Sequence, residues 1–362
     1  MEIIKGEGAI TKLYEAMSGF APRFCSIAVD FCDEKCADEV RRELSRWYNL
    51  VSVGDDIKEE DAIRAVVSVG KTKKAVALAN KYSLPLVTVV TSPDCVSAFL
   101  PFYGDQKALP KIVLCDYLLL ENDENALARG YGRIVSLLGS LFDRKVNEVI
   151  GKGEFSAREV SKVTAVVSKL LSEKKPTAQF VFSLYCDLFE QGIDCSLFLS
   201  GGGVGFERLL SVEEKERDVS LLSALTVMRS YVLFLRYAPV NLLKVPSHNA
   251  RMDWLFRLGK ISPMVSQKNL SPYPKKREVD EVLYCVMQSR TELLKRAILT
   301  EKALTFGFFA LKRLYKDKGF SYNSYPRSET LGKALALAPE LVSDGGLLAV
   351  MKWLGVTERY LT

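Results

Sequence analysis

Gly70-Lys71-Thr72 stands where an apolar run gives way to a helix-forming one, which gives it the makings of a phosphate site. A lysine, a hydroxyl and the free amides of a helix N-terminus can together hold a phosphate, although a solvated helix start carries the same residues. Asp30 ends the run FCSIAVD and Thr91 ends PLVTVVT. At the carboxyl ends of parallel strands an acid reaches the ribose of a nucleotide, or it merely forms the turn. Gly201-Gly202-Gly203 reads either as an anion nest or as a flexible connector between helices. The chain has one histidine, His248, in the loop Val245-Pro246-Ser247-His248-Asn249. One histidine excludes every metal centre that needs two and leaves a single candidate base for Ser-His-Asp chemistry. After a proline in a loop, a surface or capping role suits it better than catalysis.

Eight cysteines (25, 32, 36, 95, 115, 186, 195 and 285) lie in apolar surroundings without a CxxC pair. Cys32 and Cys36 share a helix face but have no partners to complete a zinc site. Buried free thiols are expected, and with a start that turns polar at Glu2 they point to the cytoplasm.

The elements that would position these residues fall into two textures. Strands are expected at Phe24–Asp30, Leu50–Val53, Ala65–Gly70, Pro85–Thr91 and Lys111–Cys115. Helices are expected between them at Glu34–Tyr48, Glu59–Ile63 and Lys71–Tyr82. β-Branched runs alternating with helices imply a parallel sheet covered on both faces. Beyond about residue 120 strand alternation stops. Helices are expected at Leu127–Ile150, Ala157–Glu173, Thr177–Gln191, Arg217–Tyr237, Asp280–Lys318 and Arg327–Ala338. The predicted architecture is a Rossmann-like α/β domain over 1–122 followed by an all-helical domain over 123–362.

Charge narrows the partners. The 50 Lys+Arg against 44 Asp+Glu leave +6, with only short basic runs such as Lys73-Lys74 and Lys275-Lys276-Arg277. No basic stripe interleaved with aromatics appears, so nucleic acid is not expected as a partner. The apolar stretch Leu221–Leu243 is broken by Arg229, Arg236 and Pro239, which reads as a buried helix rather than a membrane span.

Several strings, in order, resemble the metal-dependent alcohol dehydrogenase superfamily, which includes glycerol dehydrogenase, glycerol-1-phosphate dehydrogenase and, more distantly, dehydroquinate synthase. Gly6-Glu7-Gly8-Ala9-Ile10 followed by Leu13 is similar to its opening G-x-G-A-I-x-x-L. Val67-Ser68-Val69-Gly70-Lys71-Thr72 resembles its GGGKT phosphate loop, and Val89-Val90-Thr91-Ser92 stands at its P-T-T turn. Pro110 to Asp116 resembles P-x-x-V-x-x-D, and Gly130-Tyr131-Gly132-Arg133 falls on the G-x-G-D that opens the helical domain. Gly205 to Ser211 is similar to the G-S-E-H-L-F-S of the glycerol-1-phosphate branch. The resemblance implies NAD(P) as cofactor, held near Asp30, Gly70, Lys71, Thr72 and Thr91.

It also implies a divalent metal held by one Asp and two His, which this chain departs from. The Asp falls on Arg133, the first His on Arg208 and the second near Ser223. A guanidinium cannot coordinate a cation, so neither zinc nor iron is expected. Two of the loop glycines have become Ser68 and Val69, and a branched Cβ at Val69 is expected to crowd the pyrophosphate, which argues against tight NAD(P) binding.

Arg133 and Arg208 then read either as an anion site, with Glu207 beside them, or as an ion-pair network closed by Glu207 or Glu213. The expected function is a diverged dehydrogenase-like protein that binds a nucleotide or small anionic metabolite in an interdomain cleft. Two alternatives stand: a catalytically dead scaffold or regulatory subunit, alone or as a homo-oligomer, and a metal-free enzyme acting on a phosphorylated or carboxylated small molecule.

Overall fold

The computed structural model describes residues 1–31, 34–53, 62–70, 73–100, 102–103, 106–107, 109–120, 124–213, 219–238, 247, 274–316, 332, 334–335, 337–340 and 346–357. Two compact units result: Met1–Gly130 with Pro176–Gln191, and Tyr131–Lys175 with Gly192–Thr362.

The first unit is built on a six-stranded sheet, every pairing parallel. Its strands are β1 (Glu2–Gly6), β2 (Ser26–Phe31), β3 (Asn49–Ser52), β4 (Val66–Val69), β5 (Leu86–Val89) and β8 (Ile112–Asp116), in the order β1-β8-β5-β4-β2-β3. β6 (Phe102–Tyr103) and β7 (Gln106–Lys107) form a separate antiparallel pair. Every residue of β4, β5 and β8 is buried, as continuous apolar runs covered on both faces require. The five expected strands are all present.

β1 was not expected. It is an edge strand with exposed Glu2 and Lys5, so its half-polar sequence lacks the all-apolar signature of the centre. Period two divides the core: Ile27, Val29, Val67 and Val69 face one cluster, and Ala28 and Val66 face the other. The first face is covered by α1 (Leu13–Met17) and α2 (Glu34–Leu44), the second by α3 (Lys73–Lys81). α4 is the short turn Val96–Phe99.

The carboxylate of Asp116 binds the opening loop to the end of β8. It accepts amide hydrogens from Gly8 at 3.0 Å, Ile10 at 3.1 Å and Leu118 at 3.0 Å, and is 1% exposed. The strings around Gly8 and Asp116, read separately in the sequence, are therefore one structural device. Asp116→Ala would leave three amides without their acceptor and is expected to cost about 3 kcal/mol. Urea unfolding monitored by circular dichroism measures this; a loss under 1 kcal/mol would contradict it.

The remaining helices are α5 (Glu124–Val149), α6 (Ala157–Ser172), α7 (Ala178–Glu190), α8 (Gly202–Glu213), α9 (Ser220–Tyr237), α10 (Lys276–Gln288), α11 (Arg290–Lys316) and α12 (Gly346–Trp353). Ser156 and Thr177 cap α6 and α7 through their hydroxyls. The division between the units falls inside α5, at Gly130, rather than at residue 122, and the string Gly130-Tyr131-Gly132-Arg133 lies across it, with Tyr131 opening the second unit.

α7 belongs with the sheet unit, because Phe99 stacks on Phe189 at 4.2 Å and 9° and on Phe182 at 5.9 Å. The Tyr185 hydroxyl also donates to the Gly130 carbonyl at 3.1 Å. A helix that returns so far along the chain leaves no mark in a linear reading.

The single helix expected over Asp280–Lys318 is two. The backbone at Ser289 leaves the helical region, and the guanidinium of Arg290 donates to the Leu235 carbonyl at 2.5 Å and the Ala238 carbonyl at 3.4 Å. α12 was not expected as a helix, since glycine opens it, and α8 begins within the glycine run that was expected only to precede a helix. α9 is the buried helix expected from the apolar stretch, and no described helix is long and apolar enough to cross a membrane. Lys276 and Arg277 are the exposed start of α10. Most of the helices expected at Glu59–Ile63 and Arg327–Ala338, and His248, lie outside the described residues.

Candidate functional site

Asp30, Gly70 and Thr91 stand at the carboxyl ends of three adjacent strands, β2, β4 and β5. Parallel register aligns Asp30 with Ser68 and Ser68 with Thr88, a polar row on the sheet face that α3 covers. Asp30 is 8% exposed, Ser68 and Thr88 are fully buried, and the Thr88 hydroxyl donates to the Ala98 carbonyl at 2.8 Å. Sequence reasoning singled out Asp30 but missed the row. Its signal is a polar residue at the same alternate position in three apolar runs.

The Oδ2 atom of Asp30 is buried and has no hydrogen-bond partner among the described residues. A buried carboxylate oxygen in that state costs free energy unless something else supplies the donor.

The turn after β4 departs from expectation. Val69 is the last residue of the strand and is fully buried in the apolar cluster with Val67 and Val89. Its branched side chain is turned into the core, so it does not crowd a phosphate at the turn. Gly70 makes the turn with φ +83°, a conformation that glycine adopts without strain, and its amide is held by the Val89 carbonyl at 3.0 Å. Lys71 and Thr72 lie outside the described residues. α3 then opens with exposed Lys73 and Lys74 and no acid in its first turn, which leaves the helix end electropositive. Thr91 is 4% exposed, two residues past the end of β5.

The arginine positions lie in the second unit. Arg133 projects from α5 and Glu207 from α8, with Nη2 and Oε1 3.1 Å apart. Burial, and then Arg133 against the opposing pull of Glu207, hold Arg208 below the usual guanidinium range, though an arginine stays a cation. Glu207 is thus one of the two acids expected in the network, and the Glu213 side chain lies outside the described residues. Ser223, in α9, is fully buried and its hydroxyl has no hydrogen-bond partner among the described residues.

Glu207 also lines a small cavity of about 10 Å³, the room of one water molecule, with Asp143, Ser136 and Tyr231 among apolar neighbours such as Val227 and Met228. Arg133, Arg208 and Ser223, the positions at which the resemblance implies one carboxylate and two imidazoles, do not fit a divalent metal, because a guanidinium cannot coordinate a cation. Among the described residues no group of three His, Cys, Asp or Glu converges as metal ligands do.

The glycine run is neither a free connector nor an empty anion nest. The carboxylate of Asp143, 2% exposed on α5, accepts the Gly202 amide at 2.8 Å, and Gly201 turns beneath it with φ +93°. The same carboxylate accepts the Leu347 amide at 3.2 Å, so one side chain caps the starts of α8 and α12. The anion suited to this nest is part of the chain.

No protein-family model matches this chain, and no curated protein matches it. Solved structures do. A 1,3-propanediol oxidoreductase superposes with a TM-score of 0.55 at 11% identity, over 99% of this chain and 97% of that one. An archaeal halo-thermophilic alcohol dehydrogenase from a Red Sea brine pool gives 0.52 at 10% identity, over 99% and 97%. An iron-containing alcohol dehydrogenase from Corynebacterium glutamicum gives 0.50 at 13% identity, over 100% and 95%. The chain has the fold of the metal-dependent alcohol dehydrogenases. At these identities the likeness is one of fold.

Proposed function

We propose that this chain is a metal-free nucleotide-binding protein built on the alcohol dehydrogenase fold. The observation that carries the reading is the buried Oδ2 of Asp30 without a donor, at the end of β2. A ribose hydroxyl is a donor of the right kind for a strand-end carboxylate. The Gly70 turn and the electropositive start of α3 supply the setting for a phosphate beside it. These residues fit the nucleotide half of NAD(P), whose nicotinamide, when bound, accepts or gives a hydride. Arg133 and Arg208 do not fit the metal that polarises an alcohol in the fold's dehydrogenases, so no oxidation step is drawn through them. The described free thiols, Cys25, Cys36, Cys95, Cys115, Cys186 and Cys285, support a reducing compartment such as the cytoplasm. A second reading, a scaffold without ligand, is favoured by the Arg133–Glu207 ion pair, which closes part of the arginine cluster on itself.

Thermal unfolding with NAD⁺, NADH, NADP⁺ and ADP-ribose tests the reading. A nucleotide at 100 times its Kd is expected to stabilise by about 2.7 kcal/mol. Asp30→Ala is expected to abolish that shift while leaving the ligand-free midpoint unchanged or raised, because it removes an unsatisfied buried oxygen. If no nucleotide shifts the midpoint at millimolar concentration, or if Asp30→Ala lowers the ligand-free midpoint, the carboxylate is structural and the reading fails.

A further inference from the structure

α5, α6 and α11 of the second unit enclose a groove of about 370 Å³, within the size range of small-molecule sites. Its walls are mostly apolar, with Leu138 and Leu141 from α5, Val167 and Leu171 from α6 and Leu299 from α11, and Ser168 among the few hydroxyls. Leu299 is 58% exposed, an apolar side chain left in water beside an apolar channel.

One end differs from the rest. There Phe155 carries the ammonium of Lys145 at 5.2 Å from its ring centre and the guanidinium of Arg296 at 5.7 Å. Both cations line the groove. Their carboxylate partners do not: Lys145 pairs with Glu148 and lies 3.9 Å from Glu292, and Arg296 pairs through Nε with Glu292 at 2.9 Å. Glu148 and Glu292 stand 38% and 53% exposed, whereas Lys145 is 16% exposed. The groove therefore holds two cationic side chains at one end, each paired with a carboxylate that lies outside the lining, and mostly apolar side chains along its length.

We propose that this groove binds a single-chain amphiphile with an anionic head. The chain lies along α5, α6 and α11, and a carboxylate or phosphate head meets Arg296 and Lys145 beside Phe155. From Leu138 to Lys145 the helix rises about 10 Å, which an extended chain of about eight carbons spans. The proposal is independent of the nucleotide reading, which concerns the other unit.

Isothermal titration of the full chain with decanoate, decanol and decyltrimethylammonium, each below micelle formation, tests it. Decanoate is expected to bind one to one, decanol at least tenfold more weakly, and the quaternary ammonium not at all. Arg296→Gln is expected to weaken decanoate about fivefold or more. Ser168→Trp, at an exposed position of the wall, is expected to abolish binding with an unchanged melting temperature. Equal affinity for decanoate and decanol, full binding by Ser168→Trp, or no saturable heat would overturn it. So would self-association in sedimentation velocity that Ser168→Trp removes, since a second copy would then own the groove.

Discussion

Asp143→Ala is expected to destabilise the helical unit by about 3–5 kcal/mol, among the largest losses that a single side chain gives. The carboxylate answers the amides of Gly202 and Leu347, which begin helices far apart in sequence. Its removal loses two charge-assisted hydrogen bonds and strands two buried donors. Gly201 and Gly346 bring their backbones against Asp143 where side chains would collide with it. Asp143→Asn keeps one acceptor oxygen but turns an NH₂ toward the other amide, so it is expected to recover only part of the loss. Urea unfolding followed by far-ultraviolet circular dichroism reads both variants. Equal stability of Asp143→Ala and the native chain would show that α8 and α12 are held by other means.

Lys352→Met is expected to stabilise the protein near neutral pH and to flatten its pH dependence. Lys352 is 2% exposed in α12, and burial lowers its amine from the usual lysine range to about 7. The unfolded chain therefore holds the proton more tightly than the folded one between about pH 7 and 10.5. Stability conferred by the neutral amine rises with pH through that window and is lost as pH falls toward 7. The full window corresponds to at most about 5 kcal/mol.

Cys95, Cys115 and Cys186 titrate in the opposite sense. Burial raises their thiols, so stability falls as pH climbs past the ordinary thiol value near 9. The clean interval is pH 6.5 to 8.5, over which the native denaturation midpoint should rise and that of Lys352→Met should stay level. Parallel profiles for the two proteins would refute a neutral buried amine.

The residues themselves announced the apolar runs of β2, β4, β5 and β8, because strands covered on both faces are made mostly of apolar, β-branched side chains. β1 stayed hidden at the sheet edge, where water tolerates Glu2 and Lys5. The strings around Gly8 and Asp116 carried the resemblance in fold, and the structure gives it a physical cause in three hydrogen bonds to one carboxylate. Val69 was misread because a sequence gives a side chain's size but not which way the strand turns it.

For the candidate site, residue type alone decided one matter. A chain with one histidine, and arginines at positions 133 and 208, cannot assemble the implied metal ligands in any conformation. Everything that depends on distance waited for the tertiary structure. Glu207, one of the two acids named from the sequence, meets Arg133, Asp143 fills the glycine nest from another helix, and Asp30 Oδ2 is buried without a donor among the described residues. Coordination chemistry is fixed by which atoms a side chain possesses, so sequence can forbid it. Hydrogen bonding and burial are fixed by what else arrives within about 3 Å, and only the folded chain brings those atoms together.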